Sequence, residues 1–199
     1  MTAVPLTWRR HGRFWLLWIA ASTPGPAIAG MLGMVLLDTM RPFHSLTLAM
    51  GMGAVLSGWG EWLILQRYVG MSPLWIGVGA IAVASASGVF ALKTWPYPEP
   101  ILQLASVGLV VMVLGRSVLL RHRLPRLWLW VVGNAIAWGA MIGVGFGVGV
   151  GLFEALMGDR LPLFGLIVGG CCGITVGGIR GGAVTLMLLE RDRRQTHHC

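Results

Sequence analysis

Three charged side chains lie inside the apolar stretches of this chain: one acid, Glu61, and two bases, Arg116 and Arg180. A charge in hydrocarbon is costly unless it has a partner, a water-filled cavity or a route to the membrane surface. One carboxylate with two guanidinium groups can form a buried ion pair that locks helices together, or it can relay protons or ions. We take the structural pair as the first hypothesis and the relay as its alternative.

The depth of each arginine decides which one is the expected partner of Glu61. Arg116 lies near the end of its apolar stretch, so its side chain can extend to the membrane surface. Arg180 lies deeper, so its side chain reaches the membrane surface with more difficulty. We therefore expect a Glu61–Arg180 pair, with Arg116 nearby as a second or competing partner.

A second candidate for chemistry is the proline pair Pro24 and Pro26 in the first apolar stretch. Prolines inside a helix remove backbone donors and kink or unwind it. Broken helices line the binding sites of many transporters, typically with a second break at the equivalent repeat position. Here Ile81 and Ile136 occupy the equivalent positions, so the second break is missing. The lone amide of Asn134 is expected to bond between helices.

The elements that position these residues are six apolar stretches. The chain has 199 residues with a mean hydropathy of +0.76 and only 11% charged residues, against roughly a quarter in soluble domains. Each stretch is long enough to cross ~30 Å of hydrocarbon as a helix. The sequence predicts an all-α, six-transmembrane-helix bundle, one domain over residues 1–199, with helices at 14–37, 45–66, 74–92, 101–120, 127–152 and 163–189.

Loop charges predict that both termini are cytosolic. One set of loops and tails holds ten arginines and the other holds three basic residues. Basic residues concentrate on the cytosolic side of membrane proteins. The ten are Arg9, Arg10, Arg13, Arg67, Arg121, Arg123, Arg126, Arg191, Arg193 and Arg194, and the three are Arg41, Lys93 and Arg160.

Tryptophans cluster at the predicted cytosolic ends of the helices: Trp8, Trp15, Trp18, Trp62, Trp75, Trp128 and Trp130. Tryptophan is enriched at membrane–water interfaces. We expect these side chains to anchor the helices at the interface rather than to form a ligand cage.

The stretches also contain an internal repeat. Trp18, Trp75 and Trp130 open the first, third and fifth helices, and the segment Gly60–Arg67 matches Gly115–His122, with a weaker match at Gly178–Gly181. This similarity predicts three αα-hairpins about a pseudo-threefold axis along the membrane normal. Chance similarity among apolar segments is the alternative.

The segment Glu61–Arg67, which follows glycine-rich sequence, resembles the repeated Gln-Trp-Leu-Val-Leu-Arg-like helix endings of a loose group of uncharacterised bacterial polytopic membrane proteins. Members occur in cyanobacteria and Chloroflexota-like bacteria, and Glu61 stands where that group often has Gln. The resemblance covers mainly the second to fourth helices. It implies a multi-pass membrane fold and no particular activity.

Two glycine ladders with a spacing of four residues mark the last two helices. Residues four apart share a helix face, so each ladder is a glycine-zipper surface that lets backbones approach closely. We expect the two ladders to face each other, with contact to another subunit as the alternative. The ladders are Gly139, Gly143, Gly147 and Gly151, and Gly165, Gly169, Gly173, Gly177 and Gly181.

The residue inventory argues against several classes of site. All five histidines lie in loops or tails, which disfavours axial ligation of a haem or chlorophyll. No zinc-protease, nucleophile-elbow or P-loop motif is present in the sequence. The tail residues His197, His198 and Cys199 are too few for a metal site by themselves. We predict no catalytic residues, no cofactor and no metal.

These observations favour a noncatalytic multi-pass membrane protein, either stand-alone or an accessory subunit of a larger membrane assembly. The alternative is a small ion or solute transporter or channel that uses the Pro24–Pro26 break and the Glu61 and Arg180 charges; a membrane enzyme is a third class. The predicted location is a bacterial inner membrane or an internal membrane continuous with it. The expected partners are the lipid bilayer and other membrane subunits or further copies of the chain, with no nucleic acid.

Overall fold

The computed structural model describes residues 6–37, 42–91, 99–156 and 161–196, and every regular element in these ranges is an α-helix. The predicted all-α class is therefore confirmed. The helices are α1 (Leu6–Ser22), α2 (Pro24–Leu37), α3 (Pro42–Val69), α4 (Leu74–Ala91), α5 (Glu99–Leu120), α6 (Leu127–Leu156) and α7 (Leu161–Thr196).

Helices α1 and α2 form one kinked rod. The prolines remove two backbone donors, yet the Thr23 amide donates to the Ile19 carbonyl at 3.0 Å and the Ala27 amide donates to the Thr23 carbonyl at 3.3 Å. The Thr23 hydroxyl also donates to the Ile19 carbonyl at 2.7 Å. The helical path therefore continues through the predicted break, and the described chain forms six helical rods.

Four helices are long and apolar enough to cross a membrane, as expected of a membrane protein. Within the part of the chain that the structure describes, they are Arg10–Leu36, Thr47–Val69, Leu127–Leu152 and Leu161–Arg194. The third and fourth predicted helices contribute shorter apolar segments, Leu74–Val83 and Val107–Leu120.

The six rods pack as a ring in chain order. The α1–α2 rod lies between α3 and α7, and α3 packs on α4, α4 on α5, and α6 on α7. The ring closes strongly between the first and last rods and only sparsely between α5 and α6. Consecutive rods joined by short connections are antiparallel neighbours. Gly70, with φ of 64°, ends α3 in the left-handed conformation that allows such a sharp turn.

The core lies at the end of the ring where α1 begins and α3 ends. It contains three tryptophans with no exposed surface: Trp18, Trp75 and Trp130. The Trp18 and Trp75 ring centroids are 6.4 Å apart, and those of Trp75 and Trp130 are 5.6 Å apart. Burying rings of this size supplies a large share of core packing energy.

The prediction that all seven tryptophans are interface anchors is therefore wrong for Trp18, Trp75 and Trp130. Their position along the helices places them near a helix end, but they lie on faces that point to the ring centre. Trp15 and Trp128 are 38% and 58% exposed, as an anchor requires. The side chain of Trp8 lies outside the described residues.

Candidate functional site

The predicted charge cluster is present, but its pairing differs from the prediction. Arg116 Nη1 on α5 lies 2.8 Å from Glu61 Oε2 on α3. Glu61 and Arg116 are 1% and 3% exposed. The expectation that Arg180 would be the partner of Glu61 is wrong, because the depth of a residue in its helix does not decide which helix face it occupies.

Two further donors satisfy the Glu61 carboxylate. The Trp75 indole N–H on α4 donates to Oε2 at 3.0 Å, and the Ser22 hydroxyl on α1 donates to Oε1 at 3.3 Å. A buried charge is tolerable when hydrogen bonds supplement its ion pair. Glu61 therefore connects four helices, α1, α3, α4 and α5, at one point.

The Arg116 guanidinium is held on its other sides by an aromatic ring and by glycine backbones. Its Cζ lies 4.4 Å from the Trp75 ring centroid, in cation–π geometry. A Cβ at Gly58 or Gly79 would lie 3.7 or 3.5 Å from Nη2, so α3 and α4 both border this group closely. The arrangement fixes one orientation of the guanidinium.

Arg180 on α7 is the third member of the cluster, and it has no carboxylate partner in the described chain. It is 7% exposed, and its Nη2 lies 4.0 Å from Met112 Sδ. Thioether sulfur is a weak acceptor. Arg180 lies close enough to Glu61 and Arg116 to interact with both electrostatically. The buried centre thus holds two positive charges and one negative charge.

The α7 glycine ladder packs against the first rod, not against α6 as predicted. A Cβ at Gly173 would lie 2.9 Å from Thr23 Cα, and one at Gly177 would lie 3.0 Å from Ser22 Cβ. A Cβ at Gly165 would lie even closer to the Gly30 backbone, and a Cβ at Gly169 would lie even closer to the Pro26 carbonyl. The contacts of Gly165, Gly169 and Gly173 are to backbone atoms, which cannot move aside for a larger side chain, so glycine is required there.

The α6 ladder has no partner in the described structure. A Cβ at Gly139, Gly143, Gly147 or Gly151 would meet nothing within 4 Å. Helix α6 instead contacts α7 through other glycines: a Cβ at Gly133 would lie 2.8 Å from Ala183 Cβ, and one at Gly145 would lie 3.6 Å from Cys172 Sγ. The prediction that the two ladders face each other is wrong because α6 turns the ladder face outward.

The proline kink is enclosed by helices on both sides. Pro26 and Thr23 lie against the α7 ladder, and Gly25 packs on Ser57 and on the Gly53 carbonyl of α3. The Ser57 hydroxyl donates to the Ser22 carbonyl at 3.3 Å, which satisfies an acceptor next to the kink. The kink is part of a packed interface, whereas a transport site would need it to line a cavity.

Asn134 does not form the expected bond between helices. Its amide nitrogen donates to the Trp130 carbonyl of the same helix at 2.8 Å, while its Oδ1 is buried without a partner in the described chain. The histidine and cysteine tail, 197–199, lies outside the described residues, as do Asp38 and Asp159. The described residues contain no group of three or more His, Cys, Asp or Glu side chains placed to hold a metal.

A groove of about 750 Å³ lies between α3 and α4. Its lining is almost entirely apolar: Thr47, Leu48, Gly51, Met52, Val55, Leu56, Ala80 and Val83. Such a surface suits lipid chains. No charged residue of the described chain lines it.

Comparison of the chain with family models, curated proteins and solved structures gives no match. The site is therefore defined by its own geometry. Trp75 and Ser22 were not predicted as partners of Glu61. The signal that could have identified Trp75 is its equivalence with Trp18 and Trp130 in the repeat. All three tryptophans were predicted to lie at the membrane interface instead. Nothing in the sequence indicated Ser22.

Proposed function

We propose that the protein is a noncatalytic multi-pass membrane protein, either a stand-alone bundle or a structural subunit of a larger membrane assembly. It crosses a bacterial inner membrane, or an internal membrane continuous with it, six times with both termini in the cytosol. The four long apolar helices support membrane insertion. The loop charges and the resemblance to uncharacterised bacterial polytopic membrane proteins support the topology and the class.

The observation that carries the noncatalytic part of the proposal is the closed environment of Glu61. Its carboxylate is engaged by Arg116, Trp75 and Ser22, and the residue is 1% exposed. A relay needs a carboxylate that can exchange a proton or ion with water. A carboxylate fixed by one cation and two hydrogen bonds is suited to holding helices together.

The outward ladder on α6 supports the subunit alternative within this proposal. Small-residue faces drive helix association in lipid because backbones can approach closely. The α7 ladder in the same chain binds its partner rod in this way. A transmembrane helix of another subunit, or of a second copy, would pack on Gly143 and its ladder neighbours by the same contacts.

We further propose that the six rods are three hairpins about a pseudo-threefold axis. Trp18, Trp75 and Trp130 are repeat equivalents and meet in the core, and Glu61, Arg116 and Arg180 are equivalents and are all buried. A solved structure whose hairpins superpose by rotations far from 120° would reject the symmetry.

The test of the function is extraction of the protein from its native membrane in a mild detergent, with the size of the particle measured for three forms. We expect the wild-type protein to elute as an assembly if it is a subunit. Gly143→Leu should then elute as the smaller bundle at unchanged thermal stability. Gly77→Leu on α4, another glycine with nothing within 4 Å, is the matched control and should elute like the wild type.

A transporter or channel is the alternative, and the same purified protein tests it. Reconstituted liposomes should show no proton or ion flux above empty liposomes. A flux that Glu61→Gln abolishes while the protein stays folded would reject the noncatalytic proposal in favour of transport. A wild-type protein that elutes as a monomer would select the stand-alone form.

The topology has its own test. Reporter fusions at Cys199 and within 95–100 should report opposite sides of the membrane, because the loop charges place the first in the cytosol and the second outside. The same side for both positions would refute six spans.

A further inference from the structure

The buried centre of the bundle carries one positive charge more than its carboxylate neutralises. Arg116 forms the ion pair with Glu61, whereas Arg180 Nη2 lies 4.0 Å from the thioether sulfur of Met112. An uncompensated charge taken out of water is strongly destabilising. Arg180 is 7% exposed, so bulk water reaches it little. Its charge requires a compensating group that the described side chains do not supply.

The same cluster contains hydrogen-bond donors without acceptors. Arg180 Nε and the indole nitrogens of Trp18 and Trp130 are buried and have no partner in the described chain. Indole and guanidinium nitrogens can only donate. The third tryptophan of the cluster, Trp75, is different because it donates to Glu61. A set of unpartnered donors beside an excess positive charge has the chemistry of an anion site.

The unpartnered donors lie on helices that meet around the tryptophan core. A Cβ at Gly181, the residue after Arg180, would lie 2.9 Å from Cδ1 of Trp18, the ring atom bonded to its indole nitrogen. The Trp75 ring lies between those of Trp18 and Trp130 and stacks on Arg116. Helices α1, α6 and α7 each carry one of these donor side chains.

We propose that the centre of the bundle binds a small monovalent inorganic anion of the halide type beside Arg180, with the indole N–H groups of Trp18 and Trp130 as further donors. One negative charge balances the excess of one positive charge. The donors are enclosed, which favours a small ion over a bulky one. A water molecule that accompanies the ion would also satisfy the buried Asn134 Oδ1.

The anion has a structural role. It neutralises Arg180 at the point where α7 meets α1 and where the Arg180 side chain reaches α5 through Met112. Because only the folded bundle gathers these donors, a bound anion stabilises the fold according to its concentration relative to its dissociation constant. Stability in detergent should therefore depend on the halide concentration.

The experiment measures thermal unfolding of purified full-length protein in isethionate buffer at constant ionic strength, with bromide replacing isethionate stepwise. We expect a saturable rise in the melting temperature of the wild-type protein. Arg180→Gln should remove the bromide dependence, since it removes the excess charge. Arg126→Gln, at an exposed arginine that pairs with Glu190, is the control and should keep it.

Tryptophan variants test the donors without removing a charge. Trp130→Phe should weaken the apparent bromide affinity about tenfold, the effect of losing one hydrogen bond to a charge. Trp128→Phe, at the exposed tryptophan two residues earlier, is the matched control and should leave the affinity unchanged. The difference between Trp130→Phe and Trp128→Phe tests the anion site even if Arg180→Gln does not fold.

Three results would overturn the anion site. They are a wild-type melting temperature that is independent of bromide, an equal bromide dependence in wild type and Arg180→Gln, and equal effects of Trp130→Phe and Trp128→Phe. Stabilisation by phosphatidylglycerol in detergent without any bromide effect would also overturn it, because a lipid phosphate would then be the compensating group.

Discussion

The glycine ladders of α6 and α7 have the same spacing, but the α7 ladder is packed against another helix and the α6 ladder is open. A Cβ at Gly173 on α7 would lie 2.9 Å from Thr23 Cα, whereas one at Gly143 on α6 would meet nothing within 4 Å. A spacing of four makes a smooth helix face in both cases. The glycine spacing therefore predicts a helix surface that can pack closely. The arrangement of the helices decides whether another helix of the same chain covers that surface.

The packed ladder also leads to the charge pair. Gly177 lies against Ser22, and the Ser22 hydroxyl donates to Glu61, which pairs with Arg116. The closed side of the ring, α7 with the α1–α2 rod, is thus connected to α3 and α5 through a buried carboxylate. The open side, where α5 and α6 pack sparsely, has no such connection in the described residues.

The largest effect should come from filling the packed ladder. Gly173→Leu places a side chain against the Thr23 backbone, which cannot move without opening the α1–α7 interface. We expect a loss of about 3 kcal/mol or more, at the upper end for overpacked sites, measured by thermal or denaturant unfolding in detergent. Wild-type stability of Gly173→Leu would show that this face is not packed.

The next effect concerns the charge pair beside the packed ladder. Glu61→Gln leaves Arg116 buried without its carboxylate partner, and Arg116→Gln removes the ion-pair partner of Glu61. Each substitution should cost about 3 kcal/mol. The double variant should recover part of that loss, since neither charge is then stranded. A double-mutant cycle that combines Glu61→Gln with Arg180→Gln instead of Arg116→Gln should show a weaker coupling energy. Equal coupling of both arginines would contradict the pairing.

A smaller effect should separate the two faces of α6 itself. Gly133→Val forces the added methyl groups against Ala183 of α7 and should cost about 1–3 kcal/mol. Gly147→Val, on the open ladder of the same helix, should change the stability of the isolated bundle by less than about 0.5 kcal/mol. Unfolding of both variants in detergent makes the comparison. Equal losses would mean that α6 packs through its ladder after all.

Much of this architecture follows from the sequence. Helices are local structures whose apolar length can be read from the sequence, so the all-α class and the six apolar helices were predictable. Helices α1, α3, α5, α6 and α7 extend beyond the predicted bounds. Burial of Glu61, Arg116 and Arg180 was predictable as well, because charges within apolar stretches have few other solutions. The topology and the repeat remain predictions from the sequence.

Only the tertiary structure decided which faces meet. Arg116 rather than Arg180 pairs with Glu61, the α7 ladder packs on the first rod rather than on α6, and Trp18, Trp75 and Trp130 fill the core rather than the interface. The physical reason is the same in each case. A sequence of apolar and small residues sets the surface of every helix, but in an almost uniformly apolar chain it does not set the rotation of each helix about its own axis. That rotation comes from packing all six rods at once.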